Sequence, residues 1–205
     1  MKTREVTIAA LAGVAASSLL SAATIDKLDV TRERGRYALV ANAHLEALPE
    51  SIYAVLMDYG DNAYSRISSA YKESSYLEPE ADGTPIVYTR MEGCMLWHCM
   101  TLERVERLET REPNWIKSYT LPERSNFKYS TSEWSLEADG KGGTNMTYVL
   151  EMEPDFWVPP LIGPFALKRT LSSGGARAVR RIERLARLLE GLPVDDTVPP
   201  PGSSR

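Results

Sequence analysis

Two cysteines and two histidines are all that this 205-residue chain holds of the residue types that most often bind metals or assist nucleophiles. Cys94, His98 and Cys99 would supply three metal ligands, but a tetrahedral site needs four and His44 lies on a distant predicted strand. A serine triad also needs a histidine with an identifiable partner, which neither histidine has. The Gly-rich phosphate loop, His-Glu-x-x-His and Gly-x-Ser-x-Gly motifs are absent. We therefore expect no metal and no cofactor.

Charge and composition exclude several classes of protein. The formal net charge of -4 argues against a general nucleic-acid binder. With 43% hydrophobic and 25% charged residues, the composition is that of a globular protein and neither a disordered nor a membrane-spanning one. A chain of this length is enough for one domain with a substantial core. Nothing in the composition indicates an oligomeric state.

The N-terminus, residues 1–23, has the layout of a secretory signal peptide. Lys2 and Arg4 precede an apolar run that ends in small residues at 21–23. We predict cleavage after Ala23 and a periplasmic or secreted protein. An uncleaved anchor is the alternative, although the run is diluted by Gly and Ser and falls near the ~18-residue lower limit for a membrane span. No cysteine follows the predicted cleavage site, so a lipid anchor is not indicated.

The first part of the mature chain combines a spacer, a strand and a helix. We expect residues 24–36 to be a loosely ordered polar spacer. Residues 37–46 alternate apolar and polar side chains, as a half-buried strand does. Pro49 suits the first position of a helix, and Gly60 suits its end.

Six further segments have β character, and turn residues such as Asp82-Gly83 and Asp139-Gly140 separate them. The predicted strands are residues 70–77, 86–95, 99–108, 115–121, 127–136 and 145–153. Connections this short join antiparallel neighbours. The pattern predicts an antiparallel sheet of six to seven strands in an α+β fold.

A long amphipathic helix that runs to Leu189 would cover this sheet. Its apolar positions recur at steps of three and four, at Leu171, Gly175, Ala178, Val179, Ile182, Leu185, Ala186 and Leu189. Its other face is basic, with Lys168, Arg169, Arg177, Arg180, Arg181, Arg184 and Arg187. Residues 191–205 lack periodicity, and we predict a disordered Pro/Gly/Ser tail.

The order of elements, together with the Pro-Glu-Ser-Ile-Tyr-Ala-Val-Leu-Met-Asp-Tyr segment at residues 49–59, resembles the START-like (SRPBCC) superfamily. That superfamily includes lipid-transfer domains, coenzyme-Q-binding proteins and polyketide cyclase/dehydrase proteins. The loop at residues 153–161 resembles that of a subgroup of bacterial members. The resemblance implies a helix-grip fold for a domain at residues 37–190, with an apolar cavity between the sheet and the C-terminal helix. Members bind lipids, sterols, quinones or polyketides and some are enzymes, so the resemblance does not select a ligand.

Cys94 and Cys99 are separated by four residues. In an extended chain their Cα atoms would be about 16 Å apart, too far for a disulfide. In a hairpin they become cross-strand neighbours, and export supplies an oxidising compartment. We predict a disulfide, with a reduced buried pair and a metal site as alternatives. Trp97 would then sit at the loop tip, where it either folds back over the cavity or enters a bilayer.

We predict a non-enzymatic carrier of a hydrophobic small molecule or lipid. Ten residues are expected to line its cavity: Leu39, Ala41, Tyr88, Tyr119, Trp134, Met146, Tyr148, Leu150, Phe165 and Leu171. Side chains that face a void are stabilised when an apolar ligand fills it, by about 0.8 kcal/mol per buried methylene. The same residues could also form an ordinary core.

Two other functions compete with this prediction. In a cyclase or aromatase-type enzyme, Arg90, Glu92, Glu103 or Arg104 would point inward to polarise a carbonyl or move a proton. A cavity arginine without an acidic partner, or a buried carboxylate with a strongly shifted pKa, would favour this enzyme. A cavity filled by the chain's own side chains would instead favour a protein-interaction module.

Four prolines at residues 154, 159, 160 and 164 prevent the segment before the last helix from joining the sheet. We therefore expect a movable gate in which Phe156, Trp157 and Val158 pack over the cavity opening. The same residues, with the basic helix face, would make a reversible peripheral contact with an anionic membrane.

Overall fold

The computed structural model describes residues 23–95, 98–156, 158 and 163–194, and these form an α+β fold. Eight strands make one antiparallel sheet: β1 Thr24–Glu33, β2 Arg36–Leu45, β3 Tyr71–Tyr76, β4 Ile86–Met95, β5 His98–Arg111, β6 Trp115–Thr120, β7 Phe127–Ala138 and β8 Thr144–Pro154. The helices are α1 Pro49–Met57, α2 Tyr64–Ile67 and α3 Gly163–Leu189. The strand order β1-β2-β8-β7-β6-β5-β4-β3 joins the chain's first hairpin to the meander through β8. The predicted helix-grip class is confirmed.

The predicted polar spacer is wrong, because its residues form β1, which raises the strand count from the expected six or seven to eight. A bulge between Ile25 and Lys27 interrupts the alternation that normally identifies a strand. It brings Ile25 and Leu28 onto one face although three positions separate them. Arg34 and Gly35, both with positive φ, make the two-residue turn into β2.

The first helix forms where the sequence predicts it. Pro49 occupies the first turn, where a missing N–H costs nothing, and Glu50 complements the helix dipole. The helix ends at Met57, and Gly60 begins a short 3₁₀ turn, Gly60–Asn62, that leads into α2. Ile52 and Leu56 are buried against the sheet side of the domain.

The last helix packs along one face of the sheet, which we call the inner face. Val179, Ile182 and Ala186 are buried there, as their spacing predicts. Glu183 is also buried, at 6% exposure, so it is not part of the basic face. Its carboxylate accepts the main-chain N–H groups of Ala23 and Glu46. Through Glu183, this helix therefore contacts the residue before β1 and the residue after β2, at the open end of the β1–β2 hairpin.

The two cysteines lie where the predicted hairpin requires. Cys94 in β4 and Cys99 in β5 are directly opposite in the strand register. Cys99 is disulfide-bonded. The side chain of Cys94 and residues Leu96 and Trp97 lie outside the described part, so the bridge and the role of Trp97 stay predictions.

Residues 1–22 of the predicted signal peptide, residues 1–23, and the tail beyond Val194 also lie outside the described residues, so the signal peptide stays a prediction. The segment from Gly191 to Val194 has no helix or strand. None of the helices in the described part combines the length and apolar character that crossing a bilayer requires.

Candidate ligand-binding site

Two apolar clusters occupy the inner face of the sheet. The basal cluster packs the sheet against α1 and the second half of α3, and it includes Leu45, Ile52, Leu56, Leu108, Ile116, Leu136, Met146, Val179 and Ile182. The rim cluster lies at the other end of the same strands and contains Val30, Tyr37, Leu39, Ala41, Phe127, Leu150 and Met152. Leu171, near the start of α3, packs on the rim cluster. The two clusters therefore bracket the middle of the helix.

Between the clusters, four neighbouring strands present polar side chains to the inner face. We call this set the polar belt: Thr89 on β4, Arg104 and Glu106 on β5, Ser118 and Thr120 on β6, and Ser130 and Ser132 on β7. The register pairs Thr89 with Arg104, Glu106 with Thr120 and Ser118 with Ser132. Every member of the belt is buried except Arg104, whose side chain is 11% exposed.

An ion pair lies within the belt. Nε of Arg104 is 2.9 Å from Oε2 of Glu106, whose side chain is 1% exposed. Ser118 donates a hydrogen bond of 2.6 Å to the other oxygen of Glu106, and Ser118 is 2.8 Å from Ser132. Burial lowers the pKa of Arg104, but the charge of Glu106 and the smaller effects of Tyr71, Tyr148 and Tyr59 together outweigh it, so the pKa is raised. Arg104 therefore stays a cation.

Several buried polar atoms of the belt have no partner among the described residues. They are the hydroxyls of Thr89, Thr120 and Ser130, and Nε of Arg104. The Arg104 nitrogen is close to Glu106 but is not aligned with it as a hydrogen bond requires. Buried polar groups are nearly always satisfied in folded proteins, so a row of unpaired ones indicates a place for another molecule.

The middle of the helix has room for additional atoms at two glycines. Gly175 lies midway between Leu171, on the rim cluster, and Val179, in the basal cluster. A Cβ added at Gly175 would meet only Cδ1 of Leu28 within 4 Å in the described part of the chain, at 4.0 Å. A Cβ added at Gly174 would meet nothing there. The glycine pair therefore leaves open space beside the helix, which we call the gap, next to Leu28 of β1 at Gly175.

Most of the predicted lining residues lie on the inner face. Leu39, Ala41 and Leu150 are buried in the rim cluster, and Met146 is buried in the basal cluster. The remaining inner-face members are partly buried, and they are Trp134, Tyr148 and Leu171. The rings of Trp134 and Tyr148 stack with centroids 3.9 Å apart. Burial raises the pKa of Tyr148, so its phenol remains a hydrogen-bond donor at neutral pH.

Three of the ten are wrong. Tyr88 lies on the outer face, where its hydroxyl donates to Glu103, and Tyr119 lies on the outer face beneath Arg107. Tyr119 lines a shallow outer groove of about 200 Å³ together with Lys117, Tyr129, Thr131, Glu133, Val149 and Glu151. Phe165 is 71% exposed at the start of α3. The two tyrosines point to the outer face because side chains alternate along a strand, and the inner-face positions beside them belong to Val87, Thr89, Ser118 and Thr120.

The candidate charged residues divide between the two faces. Arg90 pairs with Glu73 and Glu92 on the outer face, and Glu103 accepts there from Tyr88. Only Arg104 of the four named candidates turns inward. Its partner Glu106 is the buried acid that the sequence analysis missed.

The segment before α3 is described only in part. Phe156 is partly buried and meets Phe127 edge-on, with ring centroids 6.1 Å apart, so it covers the rim cluster. Val158 is partly buried. Trp157 lies outside the described residues, and its place in the gate stays a prediction.

The belt has a recognisable pattern in the sequence, which is a run of small hydroxyl side chains at alternate strand positions. Ser118, Thr120, Ser130 and Ser132 stand at alternate positions of two adjacent strands, a pattern that can place small hydroxyls on one face. Within the described ranges, no three His, Cys, Asp or Glu side chains are placed to hold a metal ion.

The antiparallel sheet and the long C-terminal helix that covers it define a START-like fold. Solved structures support this class. A START superfamily protein from Mycobacterium smegmatis is 19% identical, covers 72% of this chain and 98% of its own, and gives a TM-score of 0.57. The Zhui aromatase/cyclase from Streptomyces sp. R1128 is 14% identical over 75% of this chain and 96% of its own, with a TM-score of 0.58. Human STARD10 is 12% identical, covers 80% of this chain and 75% of its own, and gives a TM-score of 0.56.

At these identities the structural likeness shows the fold alone. The family profile described as "Polyketide cyclase / dehydrase and lipid transport" matches residues 37–190. The chain belongs to this family. No curated protein matches it in sequence.

Proposed function

We propose that the protein is a carrier that binds a hydrophobic small molecule between the inner face of the sheet and α3. The observation that carries this proposal is the buried polar belt with unpaired atoms on the inner face, supported by the open space beside Gly175 in the covering helix. The rim and basal clusters on either side supply the apolar surface that such a ligand needs. A protein-interaction module with a filled core would leave no such gap.

Binding rather than catalysis is favoured by the pairing of Arg104. A cavity arginine that polarises a carbonyl is expected to lack an acidic partner, whereas this one lies against Glu106. Ser118 donates a hydrogen bond to Glu106 and so helps to fix the carboxylate of the Arg104–Glu106 ion pair. A cyclase or aromatase activity remains the second candidate, supported by the inward position of Arg104 and by the family.

The test is extraction of the natively purified protein with organic solvent, followed by mass spectrometry. We expect a small apolar molecule at near-stoichiometric amounts and unchanged after incubation with the protein. Gly175→Phe should remove it by filling the gap, whereas Ser173→Phe, on the exposed side of the same helix, should retain it. Wild-type protein without any bound molecule would contradict the carrier, and conversion of the molecule would favour the enzyme.

We also propose that the protein is exported and cleaved near Ala23. The signal-peptide layout supports this. Cleavage after Ala23 would leave every described strand intact and would remove the Ala23 N–H that Glu183 accepts. Intact-mass analysis of protein from the native host should show a chain that begins at Thr24 or within a few residues of it. A full-length chain in the cytosol would contradict export.

Delivery of the ligand would occur at an anionic membrane surface. Phe165 is exposed near Lys168 and Arg169, and Arg177 and Arg180 are exposed further along α3. These four basic residues form no ion pair with any described residue, so their charge is available to lipid headgroups at about 1 kcal/mol each.

The membrane proposal is tested with vesicles that contain anionic lipid, compared with neutral vesicles. The double variant Arg177→Glu and Arg180→Glu should weaken binding roughly tenfold or more. The control is Arg34→Glu and Arg124→Glu, which makes the same change in net charge elsewhere on the surface. Equal binding by both variants, or indifference to salt and lipid charge, would contradict the proposal.

A further inference from the structure

The polar belt restricts the chemical class of the ligand, and the argument rests on the proposed function. We infer that the site takes an electrically neutral, elongated molecule with carbonyl-type hydrogen-bond acceptors near its middle and apolar groups at both ends.

The two apolar ends follow from the order of side chains along β8. Leu150 belongs to the rim cluster and Met146 to the basal cluster, with Tyr148 between them. Four residues of strand span about 13 Å, so the apolar surfaces lie on both sides of the belt at that separation. A fatty acid, with one polar end and one apolar end, matches only half of this arrangement.

Neutrality follows from the ion pair. Arg104 and Glu106 are the two charged members of the belt, and they compensate each other at 2.9 Å. A buried anionic ligand would need an uncompensated cation, because an unpaired charge is costly to bury. Glu106 would repel a ligand carboxylate that approached Arg104.

The preference for acceptors follows from the kinds of group that lack partners. Nε of Arg104 can only donate, and the hydroxyls of Thr89, Thr120 and Ser130 can each donate one hydrogen bond. These atoms are buried and have no hydrogen-bond partner among the described side chains and main chain, although Nε of Arg104 lies 2.9 Å from Oε2 of Glu106 without the alignment of a hydrogen bond. A carbonyl oxygen in the middle of a ligand would accept from one or two of them without adding charge, and further acceptors along the ligand would be needed for the others.

Three probes of equal chain length separate these properties. Undecan-6-one is neutral with a central carbonyl, undecane lacks the oxygen, and undecanoate carries a terminal charge. We expect the affinities, measured by calorimetry on the full protein, to rank undecan-6-one first, with undecane at least fivefold weaker, the effect of about one hydrogen bond. Undecanoate should be weaker than undecan-6-one.

Variants of the belt test the assignment. Thr120→Val and Ser130→Ala remove unpaired hydroxyls, so each should reduce the preference for undecan-6-one over undecane several-fold without lowering the melting temperature. Thr131→Val, on the outer face beside Ser130, is the matched control and should not change the preference. Glu106→Gln leaves Arg104 as an uncompensated cation and should raise the affinity for undecanoate relative to undecan-6-one.

The outcomes separate this inference from the proposed function. If none of the three probes binds and Gly175→Phe has no effect on any bound molecule, the proposed carrier function fails. If the probes bind but undecane equals undecan-6-one, or undecanoate binds best to the wild type, the carrier stands and the inference is overturned. If Glu106→Gln does not fold, the ranking of the probes and the hydroxyl variants still decide.

Discussion

Oε2 of Glu183 accepts the main-chain N–H of Glu46 at 2.9 Å, which ties α3 to the residue that follows β2. The other oxygen accepts the N–H of Ala23 at 3.0 Å, before β1. A single buried carboxylate on the helix thus satisfies two main-chain donors at one edge of the sheet.

Removal of this carboxylate should destabilise the domain. Glu183→Ala leaves the N–H of Glu46 without its acceptor, and in the uncleaved chain the N–H of Ala23 as well, and we expect a loss of about 1–3 kcal/mol in the free energy of unfolding. Glu183→Gln keeps one oxygen and removes a charge that burial disfavours, as the raised pKa of Glu183 indicates, so its loss should be smaller. Urea unfolding of the two variants is the measurement, and equal stability of Glu183→Ala and wild type would contradict the role.

Asp139 should make the stability dependent on pH at the acidic end. Its hydrogen bond with His44, followed by those from the N–H groups of Lys141 and Gly143, lowers the pKa of Asp139 from 3.8 to about 2. Because the folded-state pKa is depressed, this carboxylate stabilises the fold above pH ~4, and the contribution is lost as the pH falls towards 2. The difference in melting temperature between wild type and Asp139→Asn should shrink over that window. A difference that stays constant from pH 5 to pH 2 would contradict this assignment.

Gly143 and Gly174 should respond in opposite ways to alanine. A Cβ at Gly143 would lie 2.8 Å from Oδ2 of Asp139 and 3.0 Å from the main-chain oxygen of Leu45, so Gly143→Ala should destabilise the turn. Gly174→Ala meets open space among the described residues and adds helix propensity, so it should stabilise by roughly 0.5–1 kcal/mol. Thermal unfolding of both variants checks the pair, and a stable Gly143→Ala protein would show that the turn relaxes.

The Cys94–Cys99 bridge should be present in the exported protein. Thiol titration under denaturing conditions should find no free thiol, whereas two free thiols in protein isolated from the periplasm would exclude the bridge. Because the loop is small, reduction should cost stability at the low end of the usual ~2–4 kcal/mol.

Phe156 should slow ligand exchange, since its ring covers the rim cluster beside Phe127. Phe156→Ala should accelerate release of undecan-6-one several-fold, measured by stopped-flow displacement. Tyr119→Ala, on the outer face, is the control and should leave the release rate unchanged. If both variants release at the wild-type rate, the segment is a connector and not a gate.

The sequence alone determined the elements whose patterns are local. The alternation around Leu39 identified β2, Pro49 marked the first residue of α1, and the spacing of Val179 and Ile182 identified the buried stripe of α3. These signals are reliable because each depends only on the period of its own element and on the chemistry of its ends.

Only the tertiary structure decided which faces meet and what lies between them. Tyr88 and Tyr119 point outward because their neighbours in the strands take the core positions. The bulge after Ile25 breaks the apolar/polar alternation of β1, so the sequence pattern did not identify this strand. The belt forms because the register of the consecutive strands β5, β6 and β7 brings Glu106 opposite Thr120 and Ser118 opposite Ser132. Pairing of this kind depends on contacts across the whole sheet, which no local period encodes.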